Sequence, residues 1–217
     1  MAAVLTPPEI AETRVSVPNV SWDTYERLLA DLSDCSAPRL TYDRGELEIK
    51  SPTPKHEKVN RAIEILVSTL ASEMQIEVAS LGSTTFKRED IDRGFEPDSC
   101  FYITNEMRIR GKDQLDLKVD PPPDVVFEVD ITKSSINKQS LWAKFDVPEV
   151  WRYDGNTVRI FTLVEGAYVA SLQSRALPAL SSEVLTGFVT DCLTITRVQW
   201  MKKLTEWARQ QKAAKLQ

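Results

Sequence analysis

Apolar residues recur along this chain with two periods, and the changes of period mark its elements. SWDTYERLLADL keeps helical spacing behind Ser21, a residue suited to capping a helix N-terminus. RLTYDRGELEIK alternates Leu40 and Tyr42, turns at Asp43-Arg44-Gly45 and resumes with Leu47 and Ile49, which predicts a β-hairpin. In SPTPKHEKVNRAIEILVSTLASEM, Val59, Ala62, Ile63, Leu66 and Leu70 return at helical spacing, with the prolines ahead of them where they do no harm. QIEVASL, STTFKRE, FEPDSCFYI and VVFEVDI read as strands. KSSINKQSLWAKFDV reads as a helix and VPEVWRYD as a strand. NTVRIFTLV and AYVASLQS pair through Glu165-Gly166, and the C-terminal basic stretch forms a helix with Trp200, Leu204 and Trp207 on its apolar side.

Helix, strands, helix, strand in this order predict an α/β fold, with a mixed central β-sheet flanked by helices. VVFEVDI, the helix after it and EVWRYD form a plausible parallel unit. Residues 1–38 read as an arm, loosely held over 1–18, and a short helix. Residues 39–195 read as the main domain, and 196–217 as a helix packing on it or on a partner.

One strand raises a chemical question. In PDVVFEVDI, alternation puts Val125, Phe127, Val129 and Ile131 on one face and Asp124, Val126, Glu128 and Asp130 on the other. An unpaired buried carboxylate is costly, so the acidic face needs lysine, arginine or a metal ion opposite it. Asp124 follows three prolines and reads as the end of a turn. Asp130 reads as a cap of the next helix or a partner of Lys133. Glu128 sits mid-strand, where a purely structural role is hardest to find.

Composition narrows the chemistry. The formal charge of −5 gives no global attraction for nucleic acid, although metal ions can mediate such contact, and the basic runs read as solvated helix faces. Three scattered cysteines make neither a disulfide framework nor a zinc motif, and with no signal-like start and no long apolar run the expectation is a cytoplasmic protein away from membranes. The single histidine, His56, excludes a His-based zinc cluster and reads as a cap-region or sheet-facing residue rather than a base. No glycine-rich phosphate loop or nucleophile elbow occurs. What remains is a pair of strand carboxylates. If FEPDSCFYI neighbours VVFEVDI, Asp98 and Glu128 converge as oxygen ligands for Mg²⁺, with Mn²⁺ a substitute.

The order ELEIKSPTPKHEKV, FEPD, PDVVFEV, a lysine followed four residues later by an aromatic, and VPEVWRYD resembles the Uma2 family of restriction-endonuclease-like proteins, in the PD-(D/E)XK nuclease superfamily. The resemblance runs from about Thr41 to Asp154. It implies a core of helix, three strands, helix and strand. It also implies Asp98 and Glu128 as catalytic metal ligands, with the Val129 carbonyl as a further one, and DNA as substrate. The lysine expected two residues after Glu128 is Asp130 here. The resemblance displaces it to Lys138 on the next helix, with Lys133 the substitute and Trp142 in the place of the aromatic. Lys87, Arg88, Lys133 and Lys144 are candidate phosphate contacts. A homodimer is expected, because two related sites cut two strands. The rival expectation is a degenerate nuclease fold that binds nucleic acid or protein without cutting; a small-molecule hydrolase using the same metal is a third.

Overall fold

The hairpin at RLTYDRGELEIK is present as β2 (Arg39–Asp43) and β3 (Glu46–Ser51), joined by Arg44 and Gly45, both at positive φ. The computed structural model describes residues 12–33, 37–132 and 134–215. Part of the presumed loose arm is ordered. Thr13–Val17 form β1, antiparallel to β3, so the hairpin grows into a sheet. With β5 (Phe86–Arg88) and β6 (Arg93–Phe95) this first sheet has the order β1-β3-β2-β6-β5. Helix α1 (Trp22–Asp31), capped by Ser21, lies on it through Tyr25, which stacks on Tyr42 with ring centroids 4.8 Å apart.

The second sheet has the order β11-β10-β9-β8-β7-β4. QIEVASL contributes only the two-residue β4 (Ala79–Ser80), and FEPDSCFYI is divided between β6 and β7 (Ser99–Tyr102). β7 pairs antiparallel with β8 (Val125–Val129) as expected. β8 pairs parallel with β9 (Glu149–Tyr153), and β10 (Val158–Val164) and β11 (Ala167–Ser171) complete the sheet as a hairpin. The sheet is therefore mixed, as the pattern predicted.

Each face of the second sheet carries a core. Val125, Phe127 and Val129 point to one face, under helix α2 (Pro54–Met74), α5 (Ser182–Thr194) and α6 (Arg197–Lys215). Trp200, Leu204 and Ala208 of α6 are buried there, so the apolar side of that helix is used within the chain. Val126 points to the other face, with Cys100, Val150 and helix α4 (Lys138–Lys144). A short helix α3 (Glu106–Ile109) follows β7. No helix among the described residues is long and apolar enough to cross a membrane.

One glycine sets the distance between α1 and its sheet. A Cβ on Gly94 in β6 would stand 2.8 Å from Cζ and 2.9 Å from Cε1 of the buried Tyr25, and closer still to its hydroxyl. Gly187 in α5 meets nothing within 4 Å. Gly94→Ala is therefore expected to lower stability by about 1–3 kcal/mol through overpacking. Gly187→Ala should raise it by roughly 0.5–1 kcal/mol, as alanine replaces glycine inside a helix. Urea unfolding of the two variants checks both signs.

Candidate active site

Of the acidic residues singled out from sequence, Asp98, Glu128 and Asp130 meet where the two sheets join. The chain leaves the first sheet at Phe95 and enters the second at Ser99, so Asp98 stands on the corner between them. Glu96 fixes that corner: its carboxylate accepts the Leu40 N–H at 2.7 Å and the Thr85 hydroxyl at 2.7 Å. Ser99 is paired with Phe127, and continuing the register by one residue puts Asp98 opposite Glu128. The Asp98 carboxylate accepts the Val129 N–H at 2.8 Å, so a side chain extends the ladder where the backbone pairing ends. Asn60 in α2 donates to the Asp98 carbonyl at 3.0 Å.

The cation facing these acids is one that strand periodicity did not single out. Lys50, near the end of β3, sends its ammonium across the junction. Its Nζ lies 2.8 and 3.1 Å from the two Asp98 oxygens, 3.3 Å from Glu128 Oε2 and 3.0 Å from the Val129 carbonyl. Its side chain is 3% exposed. Lys138 reaches the same carboxylate from α4, 3.2 Å from Glu128 Oε2 and 3.9 Å from Glu48 Oε1. It does so because the helix is shorter than expected and begins at Lys138, behind the Asn137 cap. The preceding loop is pinned to β3, where Glu48 accepts from the Ser134 hydroxyl at 2.6 Å and the Ser135 N–H at 3.1 Å. Lys133 lies outside the described residues.

A second buried layer surrounds this one. Arg14 of β1, with a side chain 8% exposed, holds Glu12 at 2.5 Å, Glu48 at 2.7 Å and Asp130, and donates to the Thr132 hydroxyl at 2.9 Å. Arg152 of β9 takes the other Asp130 oxygen at 2.9 Å. Asp130 thus pairs with two arginines, one from β1 and one from β9, rather than capping α4, whose cap is Asn137; the alternative partner Lys133 lies outside the described residues. Arg39 approaches Asp98 to 4.0 Å and Glu57 to 3.7 Å. His56 is fully buried in the first turn of α2, its Nε2 3.0 Å from Asp98 Oδ2 and 3.9 Å from Glu12. It belongs to the site rather than to the helix cap alone. Asp124 is the structural residue expected, accepting from the Ile103 N–H at 2.6 Å, the Asn105 N–H at 3.0 Å and the Asn105 side chain at 2.8 Å. The candidate phosphate contacts Lys87 and Arg88 are engaged with Glu26 and Asp90, and Lys144 is exposed at the end of α4.

The five buried acids Glu12, Glu48, Asp98, Glu128 and Asp130 are thus faced by Arg14, Arg39, Lys50, Lys138 and, at the rim, Arg152. This balance separates the two central acids. Burial would raise Asp98, but the Lys50 ammonium, with His56 and Lys138, outweighs it and holds the carboxyl well below its ordinary value. Burial dominates at Glu128 and holds it above the usual range, despite Lys138 and Lys50. Lys50 is itself raised, because the attraction of Asp98 and Glu128 exceeds its desolvation.

Comparison with known proteins adds a family. The model of the Uma2 family, described as "Putative restriction endonuclease", matches residues 22–196. No curated protein matches the sequence. Among solved structures, a "putative nuclease belonging to DUF820" from Anabaena variabilis superposes with a TM-score of 0.49 at 18% identity, covering 69% of this chain and 90% of that one.

Two outcomes follow from the buried charges. Arg14→Ala leaves three buried carboxylates short of a partner and is expected to lower stability by about 3–5 kcal/mol. Arg44→Ala, which breaks an exposed pair with Asp43, should change it by less than about 0.5 kcal/mol. Because Asp98 ionises below its unfolded value of about 3.9, its contribution is fully present above that pH and is lost as the pH falls through the native pKa. Urea midpoints measured on going to acid should therefore decline, and less steeply in Asp98→Asn. An equal slope in the two proteins contradicts the assignment.

Proposed function

The chain belongs to the Uma2 family, and on that premise we propose that it is a nuclease hydrolysing DNA phosphodiester bonds with Mg²⁺, or Mn²⁺ in its place, held by Asp98, Glu128 and the Val129 carbonyl. The observation that carries this reading is convergence. Two carboxylates and a backbone carbonyl from adjacent strands lie within 3.3 Å of one positive centre, the Lys50 ammonium, with a second lysine behind Glu128. Hard oxygen donors of this kind, few in number, suit Mg²⁺, which keeps several waters and adds substrate phosphate oxygens. The Lys50 ammonium contacts these same three groups through four oxygens.

When bound, the metal supplies Lewis-acid polarisation of the phosphodiester and a more acidic water. The remaining work falls to the chain. Asp98 stays ionised through Lys50 and His56 and is fixed in orientation by the Val129 N–H. Lys138, rooted at the first residue of a capped helix, holds positive charge beside Glu128, where it orients the attacking water or steadies the scissile phosphate. β11, an edge strand with Val169 exposed on it and Leu172 exposed just after it, offers a surface for pairing two copies, each contributing one cut.

One observation favours a second reading, a module that binds nucleic acid or protein without cutting. The buried acids are neutralised by side chains alone, so the fold does not require a metal to be stable. Supercoiled plasmid distinguishes the two. In Mg²⁺ or Mn²⁺ the protein is expected to nick and linearise it, EDTA to stop it, and Glu128→Gln and Lys138→Ala to lower the rate by about 10²-fold or more. Cutting that survives EDTA or Glu128→Gln refutes the metal site. No cutting, with DNA binding unchanged in EDTA, selects the module.

A further inference from the structure

We infer that Lys50 is a displaceable resident cation: its ammonium fills the seat formed by Asp98, Glu128 and the Val129 carbonyl, and a divalent ion enters only by driving it out. This rests on the metal-dependent reading above, and adds to it a residue that competes with the metal for its own ligands. The geometry is specific to Lys50. Its Nζ makes contacts of 2.8 and 3.1 Å with Asp98, 3.3 Å with Glu128 and 3.0 Å with the Val129 carbonyl. Among the described residues, Lys138 reaches Glu128 but makes no hydrogen bond to Asp98 or to that carbonyl. Lys50 also arrives from the other sheet, so it can leave without unpairing β7 from β8.

Size and charge make the two occupants exclusive. Mg²⁺ takes its oxygens at about 2.0–2.1 Å, closer than any of the Lys50 contacts. Two cations sharing these three groups in a buried site repel strongly, with little water to screen them. The side chain that must move is a flexible stem carrying a point charge, suited to swinging away. Its departure removes one positive charge as the ion brings two, leaving an excess of one, the charge that a phosphodiester neutralises. A seat that is open for only a fraction of the time lowers the apparent metal affinity by that fraction.

The test is calorimetric titration of Mn²⁺ alone into the wild type and Lys50→Met, with Lys50→Met/Glu128→Gln as the control for the seat and circular dichroism to confirm folding. Lys50→Met is expected to bind Mn²⁺ about tenfold or more tightly than the wild type and to gain more melting temperature from it. The double variant should lose that binding. Equal affinity in the wild type and Lys50→Met overturns the displacement while leaving the metal site standing. Binding absent from both, at millimolar Mn²⁺, overturns the metal site and the displacement with it. A wild-type measurement guards against a poorly folded variant: amine acetylation followed by peptide mapping. Lys50 should be protected without metal and become labelled at saturating Mn²⁺. Protection that persists under saturation overturns the inference.

Discussion

A carboxylate shut away from water must meet a cation or surrender its charge, and this requirement governs the polar part of the junction between the two sheets. Beside it lies the apolar cluster in which Phe86 and Phe95 of the first sheet pack with Cys100 and Val126 of the second. Apolar packing holds α1 to the first sheet and the longer helices to the second. The junction around Asp98 is different. There, Lys50 from β3 and Arg14 from β1 face Asp98, Glu128 and Asp130, and Glu48 of β3 faces Arg14 and Lys138. Ion pairs with hydrogen-bond geometry are directional where apolar contacts are not. The relative placement of β3 and β8 at this point is set by charge rather than by volume.

Directional contacts also explain how short elements aim long side chains. Lys138 is held by the cap that starts α4 and by the loop tethered to Glu48. His56 is held by the first turn of α2, where Thr53 accepts its N–H at 3.2 Å and Pro54 occupies the first helical position. Asp98 is held by Glu96 on one side and the Val129 N–H on the other. Each reaching group is rooted at an element terminus, where backbone groups left free by the helix or ladder are available to hold it.

How much of this was legible depends on the range of the signal. Glu128 stood out because it interrupts an apolar run, a local fact; Asp98 depended on Glu128 and on the condition that its strand neighbours VVFEVDI, which β7 and β8 meet. Lys138 required the family resemblance, since helical spacing does not say which way the first turn leans. Lys50 and Glu48 were hidden by their own hairpin. Alternation places them on the polar face of β3, which reads as solvated until a second sheet is laid against it. Arg14 was missed because prolines around it masked a short strand, and an edge strand of five residues carries little pattern. Helix α5 was left unassigned because Gly187 and its β-branched residues weaken the helical signal, although Ser181 caps it. His56 shows the same limit, since its role depends on a partner 42 residues away that no window joins.

The position of β1 carries a consequence of its own. It is the outermost strand of the first sheet, bonded to a neighbour on one side only, and four of its five residues are exposed. An edge strand is ordinarily among the first segments to open locally, but opening this one also breaks the buried Arg14 pairs and so costs at least what they contribute. Each such opening withdraws the Arg14 guanidinium from Asp130 and Glu48 and leaves the cluster richer in negative charge for its duration. Amide hydrogen exchange along residues 13–17 is therefore a clock for the electrostatic state of a site built mainly from other strands. The charge around Asp98 and Glu128 thus depends on a segment that forms no hydrogen bond or ion pair with either among the described residues.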